Sequence, residues 1–218
     1  MKLKRLLLAS AVLGLAGTIG TANAATISAT SVEIWNADTT GGQFGPASQA
    51  FPTNPLAAGA PVAALTATTD PLNFNDGGTD TIGGFFSGTT LPGTCNSTCA
   101  ADVLSSGNFS HATLFRFTFN EAINETFTVT HDDGVSLFAD GSLVNLLPGE
   151  ADPSTSETQS VDITPGNYVL WYEEVNGLPA ILQATSTPLA ATPLPAALPM
   201  FATGLLGFWG WRRKRRAA

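Results

Sequence analysis

Between residues 114 and 130 two stretches carry apolar side chains at every second position. In Leu114 to Phe119 the rings of Phe115, Phe117 and Phe119 fall on one face, and Leu114, Arg116 and Thr118 on the other. Thr126 to Thr130 alternates threonine with Phe127 and Val129. A period of two is a strand signal, because successive side chains on a pleated strand point to opposite faces. No stretch between residues 25 and 190 carries a helical period. Val135 to Phe138 is a third strand, and Asp140-Gly141 is a hairpin turn that predicts a returning strand over Leu143 to Leu147. Gly149 to Thr158 reads as a loop, Val161 to Ile163 as a short strand, and Pro165-Gly166 as a turn. Tyr168 to Tyr172 and Ala180 to Gln183 complete the series, separated by Asn176-Gly177. Earlier, Ile27 to Trp35 predicts an opening strand among loops rich in Gly, Pro, Asn and Thr. Short strands joined by Gly and Pro turns place the chain in the all-β class, as an antiparallel β-sandwich over 25–183.

The two ends of the chain have a different grammar. Lys2, Lys4 and Arg5 precede an apolar run, and Ala22-Asn23-Ala24 has the small-x-small pattern of a cleavage site. Residues 1–24 read as a secretory signal peptide, with signal peptidase as a processing partner. At the other end Ala196 to Trp211 is uncharged and is followed by Arg212, Arg213, Lys214, Arg215 and Arg216. An apolar run near the lower length limit for a span, with interfacial Trp209 and Trp211 and a basic stop, predicts a transmembrane helix over about 196–211 with its tail in the cytoplasm. Ala184 to Ala191 reads as a linker lifting the domain off that anchor.

The order Thr192-Pro193-Leu194-Pro195-Ala196, apolar helix and arginine cluster resembles the PEP-CTERM sorting signal in its VPLPA variant, with Thr192 where that variant usually has Val. The resemblance covers residues 192–218. It implies a Gram-negative exporter of extracellular polysaccharide, processing by an exosortase, and a final location at the cell surface or in the extracellular matrix. A plain C-terminal membrane anchor is the other reading of the same residues.

Stripped of its ends, the body has one basic residue, Arg116, against all seventeen acidic ones. Nucleic acid is excluded as a partner, since its binding needs basic patches. Docking on anionic lipid is disfavoured for the same reason. Such acidity suits solubility outside the cell and is compatible with divalent cations. Arg116 is expected to pair with an acid. Cys95 and Cys99, in CNSTC, predict a local disulfide in an oxidising compartment; two cysteines without further ligands do not make a zinc site.

In HDDGVSLFADG, residues 131–141, Asp132 and Asp133 stand side by side. From a regular strand their carboxylates diverge. They converge on one ion only if the backbone turns there, by a bulge or by a cis peptide, and Ca²⁺, which takes several oxygen ligands, is the ion such a turn would suit. Ordinary turn chemistry is the competing reading, with Asp capping and Gly134 supplying backbone freedom. His131 is expected to pack or to bond the turn, because Ca²⁺ prefers oxygen. Tyr168 and Tyr172 share one strand face and Trp171 the other, with core packing the expected role.

The run from Phe117 to Gln183 resembles the C-terminal part of a protective-antigen-type lectin-like domain, related to fungal adhesin and GLEYA domains. Carrying it are His131-Asp132-Asp133-Gly134, Leu137 and Phe138, Asp140-Gly141, Pro165-Gly166 with Tyr168, Trp171-Tyr172-Glu173, and Asn176-Gly177 with Ala180-Ile181-Leu182. The resemblance implies a β-sandwich in which Asp132 and Asp133, joined by a cis peptide, hold Ca²⁺ that in turn binds sugar hydroxyls. Asn176 is the candidate for a further ligand from a late loop.

No G-x-S-x-G, HExxH or Cys-His pair suited to catalysis is present. The expectation is therefore a non-catalytic, surface-sorted module with a calcium-dependent, adhesin-like carbohydrate-binding domain. A structural surface or biofilm-matrix protein is the alternative, ahead of a glycan-active hydrolase.

Overall fold

The computed structural model describes residues 23–38, 50–66, 71–86, 99–107, 109–147 and 156–189. The predicted signal peptide up to residue 22, Cys95, the sorting motif, the apolar run and the basic stop lie outside the described residues. Among the described residues no helix is long and apolar enough to cross a membrane.

Among the described residues ten strands form two antiparallel sheets: β1 (Ala25–Thr26), β2 (Ser31–Asp38), β3 (Ala63–Thr66), β4 (Asn73–Asp76), β5 (His111–Glu121), β6 (Glu125–Asp132), β7 (Gly134–Ala139), β8 (Glu157–Ile163), β9 (Gly166–Glu174) and β10 (Ala180–Pro188). The first sheet has the order β1-β10-β6-β8, with β4 pairing the same β10 farther along. The second has the order β3-β2-β5-β9-β7. One helical turn, α1 (Ile82–Phe85), is capped by the Thr81 side chain accepting from the Gly84 amide.

The alternation of β5 builds the core. Phe115, Phe117 and Phe119 face inward and meet Phe127 and Val129 of β6, Tyr168 and Tyr172 of β9, and Leu182 of β10. Phe119 stacks on Phe127 and on Tyr168, each with ring centroids 5.6 Å apart. The outer face of the second sheet carries a smaller cluster, in which Trp171 stacks on Trp35 at 5.6 Å and the segment with Ala50 and Leu56 covers them. The aromatic strand β9 is therefore buried on both faces. Arg116 pairs with Glu33 at 2.6 Å, as the lone-cation argument predicts.

Four expectations are corrected. Leu143 to Leu147 forms no strand: Leu143 is 84% exposed, and Asn145 Oδ1 accepts from the Leu137 and Leu147 amides in place of a ladder. The Val161–Ile163 strand begins earlier, at Glu157. Its outer face is polar and is held by side-chain pairs to β6, Thr158 with Thr130, Ser160 with Thr128 and Asp162 with Thr126. The strand expected to end at Gln183 runs on to Pro188, so Ala184–Pro188 of the predicted linker belongs to the sheet and pairs with β6 down to Glu125. Small and polar residues hid these two extensions, because apolar periodicity is blind to strands that pair through hydroxyls. The opening strand expected over Ile27 to Trp35 begins only at Ser31 and runs to Asp38 as β2 of the second sheet, and residues 27–30 cross to it from β1 in the first.

Candidate functional site

The paired aspartates occupy a corner of the sandwich. β6 ends at Asp132 in the first sheet, and β7 begins at Gly134 in the second. Asp133 alone links them, and the Asp132–Asp133 peptide is cis. At the same end, Val175 to Pro179 carries the chain back from β9 to β10, and the Leu178–Pro179 peptide is also cis. The two crossovers are tied together. Asp133 Oδ2 accepts from the amides of Val175 and Asn176, each at 2.9 Å.

Asn176 thus reaches the site as predicted in place but through its backbone; its side chain is exposed. Gly177 follows with φ +84°, and a side chain there would press on the Gly107 backbone at 3.2 Å. That combination of a left-handed backbone and a close approach admits glycine alone. Its amide donates to Ser105 Oγ at 3.0 Å, which joins the segment before β5 to the same corner.

His131 is buried and packs under the turn. Its Nδ1 donates to the Asp133 carbonyl at 2.6 Å, since a carbonyl can only accept, and its Nε2 has no hydrogen-bond partner. Burial holds its pKa below the ordinary value, so the ring is neutral. This is the turn-bonding role read from the sequence.

Sequence reasoning did not assign the two acids that complete the corner. Glu173 pairs with Gly134 across β9 and β7, and Glu174 follows it; both are fully buried. Glu173 Oε1 accepts from Asn54 Nδ2 at 2.9 Å, while its Oε2 has no partner among the described residues. Burial, opposed by the Asn54 bond and reinforced by the charge of Asp133, pushes the Glu173 carboxyl up to about 8. Burial and the charges of Asp133 and Asp132 also hold Glu174 well above the carboxylate range. The Tyr172 hydroxyl lies 2.7 Å from Glu174 Oε2 and also bonds the Asp132 carbonyl, and Ser105 Oγ donates to Glu174 Oε1 at 3.0 Å. A Glu-Glu pair ending an aromatic strand was the available signal, but strand alternation sends neighbours to opposite faces. Their common neighbourhood exists only because the corner wraps the strand end.

Four carboxyl groups therefore crowd one end of the sandwich, and Arg116 is committed to Glu33 elsewhere. Hard oxygen donors of this type match Ca²⁺. Among the described residues, no group of three or more His, Cys, Asp and Glu side chains is arranged to hold a metal. A cation at Asp132 and Asp133 would have two carboxylates as its charged ligands. Cys99 is buried at the start of a 3₁₀ turn, Cys99–Ala101, and its expected partner Cys95 lies outside the described residues.

No family profile and no curated protein matches the chain. Among solved structures it is similar to a PA14 sugar-binding domain from an RTX adhesin, at 18% identity and a TM-score of 0.47, covering 73% of this chain and 89% of that one. The PA14 domain of an antifreeze protein is similar at 16% identity and a TM-score of 0.44, covering 78% and 85%. A GH31 alpha-xylosidase from Xanthomonas citri is similar at 12% identity and a TM-score of 0.33, covering 79% of this chain and 16% of that one.

Proposed function

We propose that this is an exported, non-catalytic surface module in which Asp132 and Asp133 hold a Ca²⁺ ion that binds carbohydrate hydroxyls, in association with extracellular polysaccharide. The observation that carries the reading is the crowding of Asp132, Asp133, Glu173 and Glu174 at one corner, with the buried Glu173 Oε2 unpartnered. Buried carboxylates are costly without a counter-charge, and a cation beside Asp133 relieves the repulsion that lifts its neighbours. Ca²⁺ takes six to eight oxygens. Two aspartates leave the remainder to backbone carbonyls, amide oxygens, water and sugar hydroxyls, and that open remainder is what a calcium-dependent lectin uses. Export and exosortase sorting rest on the sequence signals at the two ends.

A structural surface protein without a ligand is the second reading. The two amide bonds to Asp133 favour it, since they give that carboxylate a task as a staple between crossovers.

Calcium titration by calorimetry on the exported protein separates the two, repeated for Asp132→Asn and Asp133→Asn. The calcium site predicts saturable binding, in the range of extracellular modules at about 10⁻⁴ to 10⁻³ M, that either change abolishes. It also predicts proton release on binding near pH 7, read as heats that differ between buffers, because a cation beside Asp133 draws Glu173 down from about 8. Glycan binding that requires calcium then completes the reading. Absence of calcium heat in the parent protein leaves the structural staple.

A further inference from the structure

The end of the sandwich opposite the aspartate corner is open between the sheets, as a cleft of about 440 Å³ bordered by Ala25, Ser28, Glu121, Glu125 and Ser186. Glu125 begins β6 in register with the inward-facing Phe127 and Val129. It is only 3% exposed, and its Oε1 has no hydrogen-bond partner among the described residues. Glu121 ends β5 on the face of Phe119 and meets Glu125 across the gap, the two carboxyls sharing a hydrogen bond. Burial and then that neighbour push the Glu121 carboxyl up to about 7. Among the described residues no basic side chain borders the cleft. A buried carboxylate oxygen without a donor, on a residue that borders a cleft together with a second carboxyl and Ser186, has the chemistry of a site that lacks its positive charge.

We propose that this cleft is a second cation site, independent of Asp132 and Asp133, in which Glu121 and Glu125 hold a positively charged group between the two sheets. Two sources supply that charge. A Ca²⁺ ion from the medium takes both carboxylates and the Ser186 hydroxyl as oxygen ligands. Alternatively, the α-ammonium group that leader cleavage after Ala24 creates on Ala25 arrives in the same cleft, because β1 pairs Ala25 with Ser186 on β10.

The test uses the exported protein, with its N-terminus read by intact mass. Parent, Glu125→Gln, Glu121→Gln and Asp133→Asn are compared by calcium chloride titration and by melting at pH 7 with calcium or with EDTA. The site predicts that Glu125→Gln lowers the melting temperature by about 5 °C. Glu121→Gln, at the more exposed member, lowers it less and serves if the first variant fails to fold. A calcium equivalent that Asp133→Asn retains and Glu125→Gln loses assigns the site to the ion. Destabilisation that persists in EDTA, and that one extra residue ahead of Ala25 reproduces, assigns it to the ammonium. Removing a buried charge that has no counter-ion is neutral or stabilising. An unchanged or raised melting temperature in both glutamate variants, with unchanged calcium stoichiometry, therefore overturns the proposal. Failure of the Asp132–Asp133 reading appears separately, as calcium binding that Asp133→Asn does not affect.

Discussion

The two ends of the sandwich handle buried acid in opposite ways. At the aspartate corner the chain crosses between sheets twice, and the crossovers bring backbone amides with them. Asp133 takes two of these, and Glu174 takes the Ser105 hydroxyl and borders Tyr172. At the Glu121–Glu125 end the chain also crosses between sheets, at 27–30, 122–124 and 164–165, but there the two carboxyls bond each other. Acids that meet backbone amides are solvated by peptide dipoles, whereas two carboxyls that face each other rely on a proton or on a cation. Asp76 shows the first strategy complete. Burial works to raise its pKa, but the amides of Thr79 and Gly78 and the Thr79 hydroxyl outweigh it, and the group sits below its ordinary value.

The largest effect is expected for Asp133→Ala. It removes the acceptor of two amides and unties the crossovers, at a cost of about 3 kcal/mol or more and a drop of roughly 10 °C in melting temperature. Asp133→Asn keeps one oxygen and costs less, so a thermal melt that ranks the two equally would break the staple argument.

Glu173→Gln comes next, and its sign depends on pH. The folded carboxyl titrates near 8, above its ordinary 4.5, so its contribution is fully present below 4.5 and is lost as pH rises through 8. In EDTA the parent protein should lose a few kcal/mol of stability across that window, and the glutamine variant, which keeps the Asn54 bond, should lose much less. Denaturant melts at pH 5 and pH 8.5 read the difference.

The same logic at the other end gives a smaller slope. Glu121 titrates near 7, so in EDTA stability falls between pH 4.5 and 7, and Glu121→Gln flattens that fall only slightly because the group is partly exposed. A slope at this end as steep as that of Glu173 would erase the contrast between the two ends.

Arg116→Ala should have the smallest effect, under about 1 kcal/mol, since its pair with Glu33 is about one-third exposed on both sides. Any larger loss would come from its position 6.0 Å over the Trp171 ring.

The legibility of the fold follows the apolar pattern. β5 and β6 alternate Phe and Val with mostly polar residues, β9 is a continuous aromatic and apolar run, and all three are where the pattern places them. The extensions of β8 and β10 and the non-strand at Leu143–Leu147 were not legible, because threonine and serine ladders and the Asn145 side chain decide them. At the site, Asp132, Asp133 and the turn role of His131 were legible from three adjacent residues. Glu173, Glu174, Ser105 and Asn54 were not, since they lie between 26 and 79 residues away in the chain.

By itself the sequence determined the all-β class and the pairing of Arg116 with an acid. An alternating pattern can bury only one face of a strand, and a single cation among seventeen acids has no shortage of partners. Tertiary structure alone decided which acids meet. Two crossovers bring Glu173 and Glu174 beside Asp133, and the closing of one sheet over the other sets Glu121 against Glu125. Charge repulsion depends on distance through space, and only the folded chain sets that distance.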